Sequence, residues 1–344
     1  MALQIRRAAL DRDRAQLIGL FKRCLTPTFD EQRFERVYCK GPYGAAPTWV
    51  AFDGSDGAIV GAAAAFPRRM YVGGEVRLGC VLGDFCIEEK YRSLGPAVLL
   101  QRACLEEAAG ACFEFCYDFP SPSMMAVYKR LEIDKAGILW RWAKPLRAER
   151  KLASVIPSKA LVKGLGAIVN AALAHRGWKG SADVCELAVH EGMCGEEFTT
   201  LDSHLCPKSG IRTVRTAEYL NWRYLSDSGT SYQILTARRA GILIAYAVFA
   251  QELGYASIVD LCSVEEPAVI GRVLAGAVEL LRRRGVSSVS LNAGDRHPWN
   301  PLFERAGFRK REQSPLIIYT RPQSNSVDKA LRSNWYLMRG ERDS

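Results

Sequence analysis

The chain has 344 residues, 48% hydrophobic and 24% charged, with a net charge of +10. That length suits two domains that can each bury a core, and the composition excludes a disordered chain. No apolar run approaches the roughly 20 residues of a membrane helix, and Met1 to Arg7 lacks the apolar stretch of a secretory leader, so a cytoplasmic protein is expected.

In chain order, Ile5 to Ala8 reads as an opening strand and Asp11 to Leu25 as an amphipathic helix. Thr48 to Phe52 and Ala58 to Arg68 form a hairpin across Asp53–Gly57. Val81 to Ile87 is a strand, Val98 to Ala109 a helix, and Arg92-Ser93-Leu94-Gly95-Pro96-Ala97 joins them. A strand turning through glycine into a helix start leaves backbone N–H groups unpaired at the positive end of the helix dipole, a site for phosphate oxygens. Gly95 permits close approach and Arg92 adds a charge. Pro96 removes one N–H, although proline at N1 gives up only a donor with no partner in the helix. Phe113 to Tyr117 is the next strand, and Ser121-Pro122 supplies an N-cap followed by proline for a helix through Leu131.

The stretch Arg92 to Ala97 resembles the Arg/Gln-x-x-Gly-x-Gly/Ala acyl-CoA signature of the Gcn5-related N-acetyltransferase superfamily. Gly83 to Ile87 and Lys90-Tyr91-Arg92 resemble the family's fourth strand and the turn after it. Ala126 to Leu131 resembles its A-x-x-Tyr-x-x-Leu helix. The resemblance implies that an amine attacks an acyl-CoA thioester directly, with no covalent enzyme intermediate. It places the cofactor on Phe85, Cys86, Ile87, Arg92, Ser93, Leu94, Gly95, Pro96 and Ala97, and gives Tyr128 the role of protonating the departing CoA thiolate. For the base that takes the ammonium proton, Asp84 on the fourth strand is placed ahead of Asp118 at the end of the fifth. Strand alternation alone does not fix the face on which Asp84 lies, because a β-bulge would reverse it.

A weaker second copy follows. Asn300 to Phe308 resembles the same helix, with Phe303 about 175 residues after Tyr128. At that offset Arg92, Gly95 and Ala97 become Pro267, Ile270 and Arg272, so the second copy has no phosphate loop. Its scaffold reads as strands 232–237, 242–250 and 257–263, a helix 268–284 stopped by Gly285, and a strand 288–292. The expected fold is therefore a mixed α/β (α+β) one, two tandem domains of this family's type, each a mainly antiparallel sheet flanked by helices. Residues 1–148 form the domain with the cradle, 149–182 a basic connector, and 183–344 the degenerate domain. Tyr219 to Tyr224 and Trp335 to Asp343 extend the likeness to two-domain acetyltransferases of bacterial polysaccharide gene sets. Within the connector, Leu161, Leu165, Ile168, Val169, Ala172 and Leu173 recur at helical spacing beside Lys159, Lys163, Arg176 and Lys179. Either it packs across the two domains or it touches a membrane surface or a lipid-linked substrate.

Eleven cysteines without C-x-x-C pairs argue against a disulfide framework or a zinc site, and no metal is expected. Cys80, Cys86, Cys104, Cys112 and Cys116 fall in apolar patterns and read as buried thiols. The positive charge asks for an acidic partner, which CoA and a phosphorylated or lipid-linked amino sugar acceptor would supply. No nucleic-acid motif is present, and nucleic acid is not expected as a partner. The leading expectation is an acyl-CoA-dependent N-acyltransferase that moves an acetyl group from acetyl-CoA to an amine such as an amino sugar. Its alternatives are an aminoacyl-tRNA-dependent transferase of related tandem fold and a non-catalytic acyl-CoA-binding module.

Overall fold

The computed structural model describes residues 3–55, 57–148, 178, 184–205, 210–226, 230–321 and 335–342. The first half runs β1 (Leu3–Arg7), α1 (Leu10–Cys24), α2 (Glu31–Phe34), β2 (Thr48–Asp53), β3 (Ile59–Val72), β4 (Glu75–Ile87), α3 (Leu94–Glu107), β5 (Cys116–Asp118), α4 (Pro122–Arg130) and β6 (Gly137–Pro145). The second half repeats this order with β8 added: β7 (Glu186–Val189), α5 (Glu196–His204), β8 (Ile211–Thr213), α6 (Ala217–Leu220), β9 (Tyr232–Arg239), β10 (Ile242–Glu252), β11 (Tyr255–Ser263), α7 (Pro267–Arg283), β12 (Ser288–Gly294), α8 (Asn300–Arg305) and β13 (Arg309–Tyr319). Of the connector only Trp178 is described, and its helical stripe lies wholly outside the described residues.

All strands join one sheet in the order β1-β2-β3-β4-β5-β13-β6-β12-β11-β10-β9-β7, with β8 pairing β3. The order reads the same from both ends, as a duplication should, except that the halves exchange their last strands. β6 pairs with β12, while β13 pairs with β5. The two copies are thus interlocked by backbone hydrogen bonds, and the boundary between residues 148 and 183 does not coincide with a break in the sheet.

Local chemistry accounts for most elements. In α1, Leu17, Ile18, Leu20 and Phe21 form the buried stripe, with Asp11 and Asp13 in the first turn and Lys22 and Arg23 in the last, both favourable to the helix dipole. β3 is buried on both faces because helices cover it on either side. α1, α2 and Tyr38 pack on one face with Val50, Ala62 and Val81. α3 and α4 pack on the other with Trp49, Ala63 and Leu82. β4 begins six residues before the expected Val81, because Gly73 and Gly74, at φ 61° and 94°, make a two-residue hairpin turn from β3. Helix α7 ends before Gly285 at φ 82°, as the sequence predicts. Cys80, Cys86, Cys104 and Cys116 are buried free thiols, whereas Cys112 is half-buried. No helix among the described residues is long and apolar enough to cross a membrane.

Candidate active site

The site is built where β4 and β5 part. They run parallel through only two residue pairs, Cys80–Cys116 and Val81–Tyr117, and then diverge. Opposite this fork, Ala62 pairs with Cys86 and Ala64 with Gly83, so Ala63 faces both Asp84 and Phe85. That is a β-bulge, and Asp84 carries the strain at φ 47°. The bulge settles the parity question: the Asp84 carboxylate accepts a 2.6 Å hydrogen bond from the Tyr38 hydroxyl, part of the α1/α2 core, while Phe85 packs toward α3 and α4.

A cavity of about 640 Å³ runs from the cradle residues Arg92, Ser93, Leu94 and Ala97 into this fork, bordered by Phe85, Cys86 and Ile87. A second, of about 540 Å³, reaches the fork from the opposite side, bordered by Cys24, Thr26, Arg33 and Arg342. Asp84, Phe85, Asp118 and Phe119 line both. The two cavities therefore share walls at the fork.

Helix α3 starts four residues earlier than expected, at Leu94, with Ser93 as its N-cap. Pro96 accordingly stands at N3 instead of N1, still among the positions whose N–H has no partner within the helix. The first helical bond in the turn is Ala97 N–H to the Ser93 carbonyl, 3.3 Å. Leu94 and Gly95, at N1 and N2, are left as donors for an anion. Gly95 is outside the left-handed region, and a Cβ built on it meets no atom within 4 Å. Neither backbone conformation nor packing explains this glycine, whereas close approach of a phosphate does. Arg92 is exposed, with one guanidinium bond of 3.3 Å to the Ile87 carbonyl. These residues fit the pyrophosphate of CoA. Gly95→Ala is expected to leave stability unchanged or raise it by about 0.5–1 kcal/mol through helix propensity. It should also weaken acetyl-CoA binding about tenfold in calorimetry; unaltered affinity would remove Gly95 from the cradle.

On the α3/α4 side, Ser121 caps α4 by accepting from Met124 N–H at 3.2 Å, with Pro122 in the first turn, and the helix carries Tyr128 inward. The Tyr128 side chain is fully buried. Its hydroxyl donates to Asp118 at 2.6 Å and accepts from Gln101 Nε2 at 3.0 Å. Gln101 and Asp118 border the cavity, and Tyr128 stands behind them. Burial pushes the Asp118 carboxyl up to about 6, against the opposing hydrogen bond from Tyr128. Burial likewise raises Asp84, opposed by Tyr38. Sequence reading missed Gln101, whose signal is a polar residue among the buried positions of α3, and Tyr38, Arg33 and Arg342, for which no local signal exists.

The second copy's fork is filled. Beyond the Ile258–Leu291 pair of parallel β11 and β12, the C-terminal segment enters, with Met338 pairing with Ala293 and Gly294 N–H bonded to the Leu337 carbonyl. A Cβ on Gly340 would lie 3.1 Å from the Val259 carbonyl on β11, so the segment fits tightly between the strands. Tyr224 bonds Asp260 at 3.1 Å, similar to the Tyr38–Asp84 pair, but Asp260 is also held by buried Arg215. At the start of α7, Val269 and Ile270 are buried, and the Trp178 ring occupies the space that a Cβ on Gly271 would need.

Neither a family model nor a curated protein matches this sequence. Among solved structures, a GCN5-related N-acetyltransferase from Anabaena variabilis aligns with a TM-score of 0.65 at 12% identity, over 92% of this chain and 72% of that one. One from Kribbella flavida aligns with a TM-score of 0.56 at 13% identity, over 92% and 72%. Saccharomyces cerevisiae N-myristoyltransferase with bound myristoyl-CoA aligns with a TM-score of 0.57 at 12% identity, over 97% and 84%. The chain has the GCN5-related N-acetyltransferase fold, in the tandem arrangement that the duplicated element order describes.

Proposed function

We propose that the chain is an acyl-CoA-dependent N-acyltransferase whose N-terminal copy is catalytic. The observation that carries this reading is the pair of cavities that share walls at the β4/β5 fork, one bordered by a helix start with unpaired N–H groups and the other by the α1/α2 side. An acyl thioester lying in the fork is open to attack from the face opposite its CoA, so the two reactants meet without competing for space. The bulge at Asp84–Phe85 takes backbone groups out of the ladder beside the fork, a source of donors for the thioester oxygen. The folds that align with this one include an N-acetyltransferase and a myristoyl-CoA complex, which supports an acyl-CoA donor.

In the proposed reaction the amine nitrogen bonds to the thioester carbon, the carbon–sulfur bond breaks, and one proton passes from nitrogen to sulfur. Asp84, on the α1/α2 side, takes the proton that converts the incoming ammonium to amine. Asp118, open to both cavities, takes the second from the attacking nitrogen and returns it to the thiolate. Tyr128 acts through Asp118, because its hydroxyl lies behind that carboxylate and donates to it. This replaces direct protonation of sulfur by Tyr128, which needs the hydroxyl in the cavity wall. Tyr128→Phe is expected to raise the Asp118 pKa by removing the bond that lowers it, moving the acidic limb of the kcat/KM profile upward; an unmoved limb with a large fall in kcat would restore the direct role.

The acceptor is proposed to be a small amine such as an amino sugar, phosphorylated or lipid-linked, in keeping with the +10 charge. A CoA-release screen of amines and amino sugars against several acyl-CoAs tests the reading, with Arg92→Ala as the weakened control. No thermal shift with acetyl-CoA and no release from any pair would end it.

A further inference from the structure

The cavity on the α1/α2 side is bordered by two arginines from opposite ends of the chain. Arg33, on α2, lies with its guanidinium carbon 5.2 Å from the Phe29 ring centre. Arg342, in the C-terminal segment, lies 5.2 Å from the Phe119 ring centre. Among the described residues neither side chain has an ion pair or a hydrogen bond, and Arg342 Nε is shielded from solvent without a partner. Burial, followed by the nearby Arg339, depresses the basicity of Arg342, and the attraction of Asp118 only partly opposes them. By contrast, Arg6, Arg141 and Arg238 each gain basicity from a carboxylate partner.

A half-buried guanidinium with no hydrogen-bonded anion is costly, and although Asp84 lies within electrostatic reach of Arg33 and Asp118 within reach of Arg342, the two cations also repel an incoming ammonium. Both objections disappear if the acceptor brings its own negative charge. We infer that the acceptor is a small amine bearing an oxyanion, a carboxylate or a phosphate, a few bonds from its amino group, and that Arg33 and Arg342 grip that oxyanion while the amine faces Asp84 and Asp118. Arginine suits the task because its planar fork meets two oxygens at once. The inference rests on the fork being an acyl-transfer site and adds the chemical class of its acceptor.

The test uses the full chain saturated with CoA, so that the cradle is occupied. Acetate and inorganic phosphate are titrated separately while the arginine side-chain signals are followed by NMR. A saturable shift with at least one anion is expected in the wild type and its loss in Arg33→Gln/Arg342→Gln; the anion that saturates at lower concentration separates carboxylate from phosphate. No saturable shift in the wild type, or an equal one in the variant, overturns the inference. The thermal shift produced by CoA should be the same in both proteins. Its absence from the wild type would defeat the acyl-CoA reading itself, whereas loss of anion binding alone defeats only this inference. For the acceptor that the screen returns, Arg33→Gln, on the half-buried surface of α2, should raise KM about tenfold with kcat changed less than twofold, and Arg33→Lys should recover part of the loss. An acceptor without an oxyanion, used equally well by wild type and variant, overturns the inference.

Discussion

Asp118→Asn is expected to lower kcat/KM by about 10²–10⁴-fold, the range that a positioned proton-transfer group contributes, while acetyl-CoA binding is retained. Asparagine keeps the size and can still accept the Tyr128 hydroxyl bond, so the loss would report the missing proton acceptor. In the wild type, ionised Asp118 is the active form. With its carboxyl pushed up to about 6, kcat/KM should fall as pH drops through about 6, and the variant should lack that limb. Stability carries the opposite sign. A carboxyl raised from 3.8 to about 6 contributes stability that is fully present below 3.8 and lost as pH rises through 6. Thermal melts at pH 8 should therefore show the variant at least as stable as the wild type. A variant that keeps most of its activity would remove Asp118 from the reaction and leave Asp84 as the only carboxylate with a proposed part in it.

Arg215→Met is expected to destabilise the fold by about 3–5 kcal/mol, the cost of leaving buried charges without their partner. Arg215 is 1% exposed, donates from Nε to both oxygens of Asp260 at 2.9 Å and from Nη2 to Glu341 at 2.6 Å, and its Nη1 reaches the Thr213 carbonyl at 3.0 Å. One side chain thus ties the strand β11 to the chain after β8 and to the C-terminal segment that fills the second fork. Without it, Glu341, already raised by burial and by the nearby Asp260, loses the cation that opposes both and resists ionisation further. The loss should accordingly be larger at pH 8 than at pH 5, because stability held by a carboxyl with a raised pKa disappears as pH increases. Urea unfolding at the two pH values checks both the size and the sign. A loss below about 1 kcal/mol would mean that water enters the cluster freely and that the second fork is not sealed.

These two expectations separate what the duplicated halves do. In the N-terminal copy the fork between β4 and β5 stays open, with carboxylates raised by burial and no cation within ion-pair distance of Asp84 or Asp118 among the described residues. In the C-terminal copy, chain from the far end fills the fork and Arg215 neutralises its aspartate. The same segment then delivers Arg342 to the open site, so closing one fork furnishes a wall of the other.

The sequence by itself determined the features that short-range rules govern. Ser121-Pro122 specified a helix start, Gly285 a helix stop, and Arg92 to Ala97 a turn into a helix with unpaired N–H groups, because capping, left-handed φ and unpaired N–H groups are decided within a few residues. The order of strands and helices, repeated at an offset of about 175 residues, also disclosed the duplication. Only the tertiary structure decided which strands became neighbours: β6 and β13 changed places between the halves, since pairing depends on edges left open by distant parts of the chain. It likewise fixed the face of Asp84 through a bulge, set Tyr128 behind Asp118, and brought Arg33 and Arg342 to one cavity. None of these is encoded in local periodicity, because each depends on contacts that form only when segments far apart in sequence pack against each other.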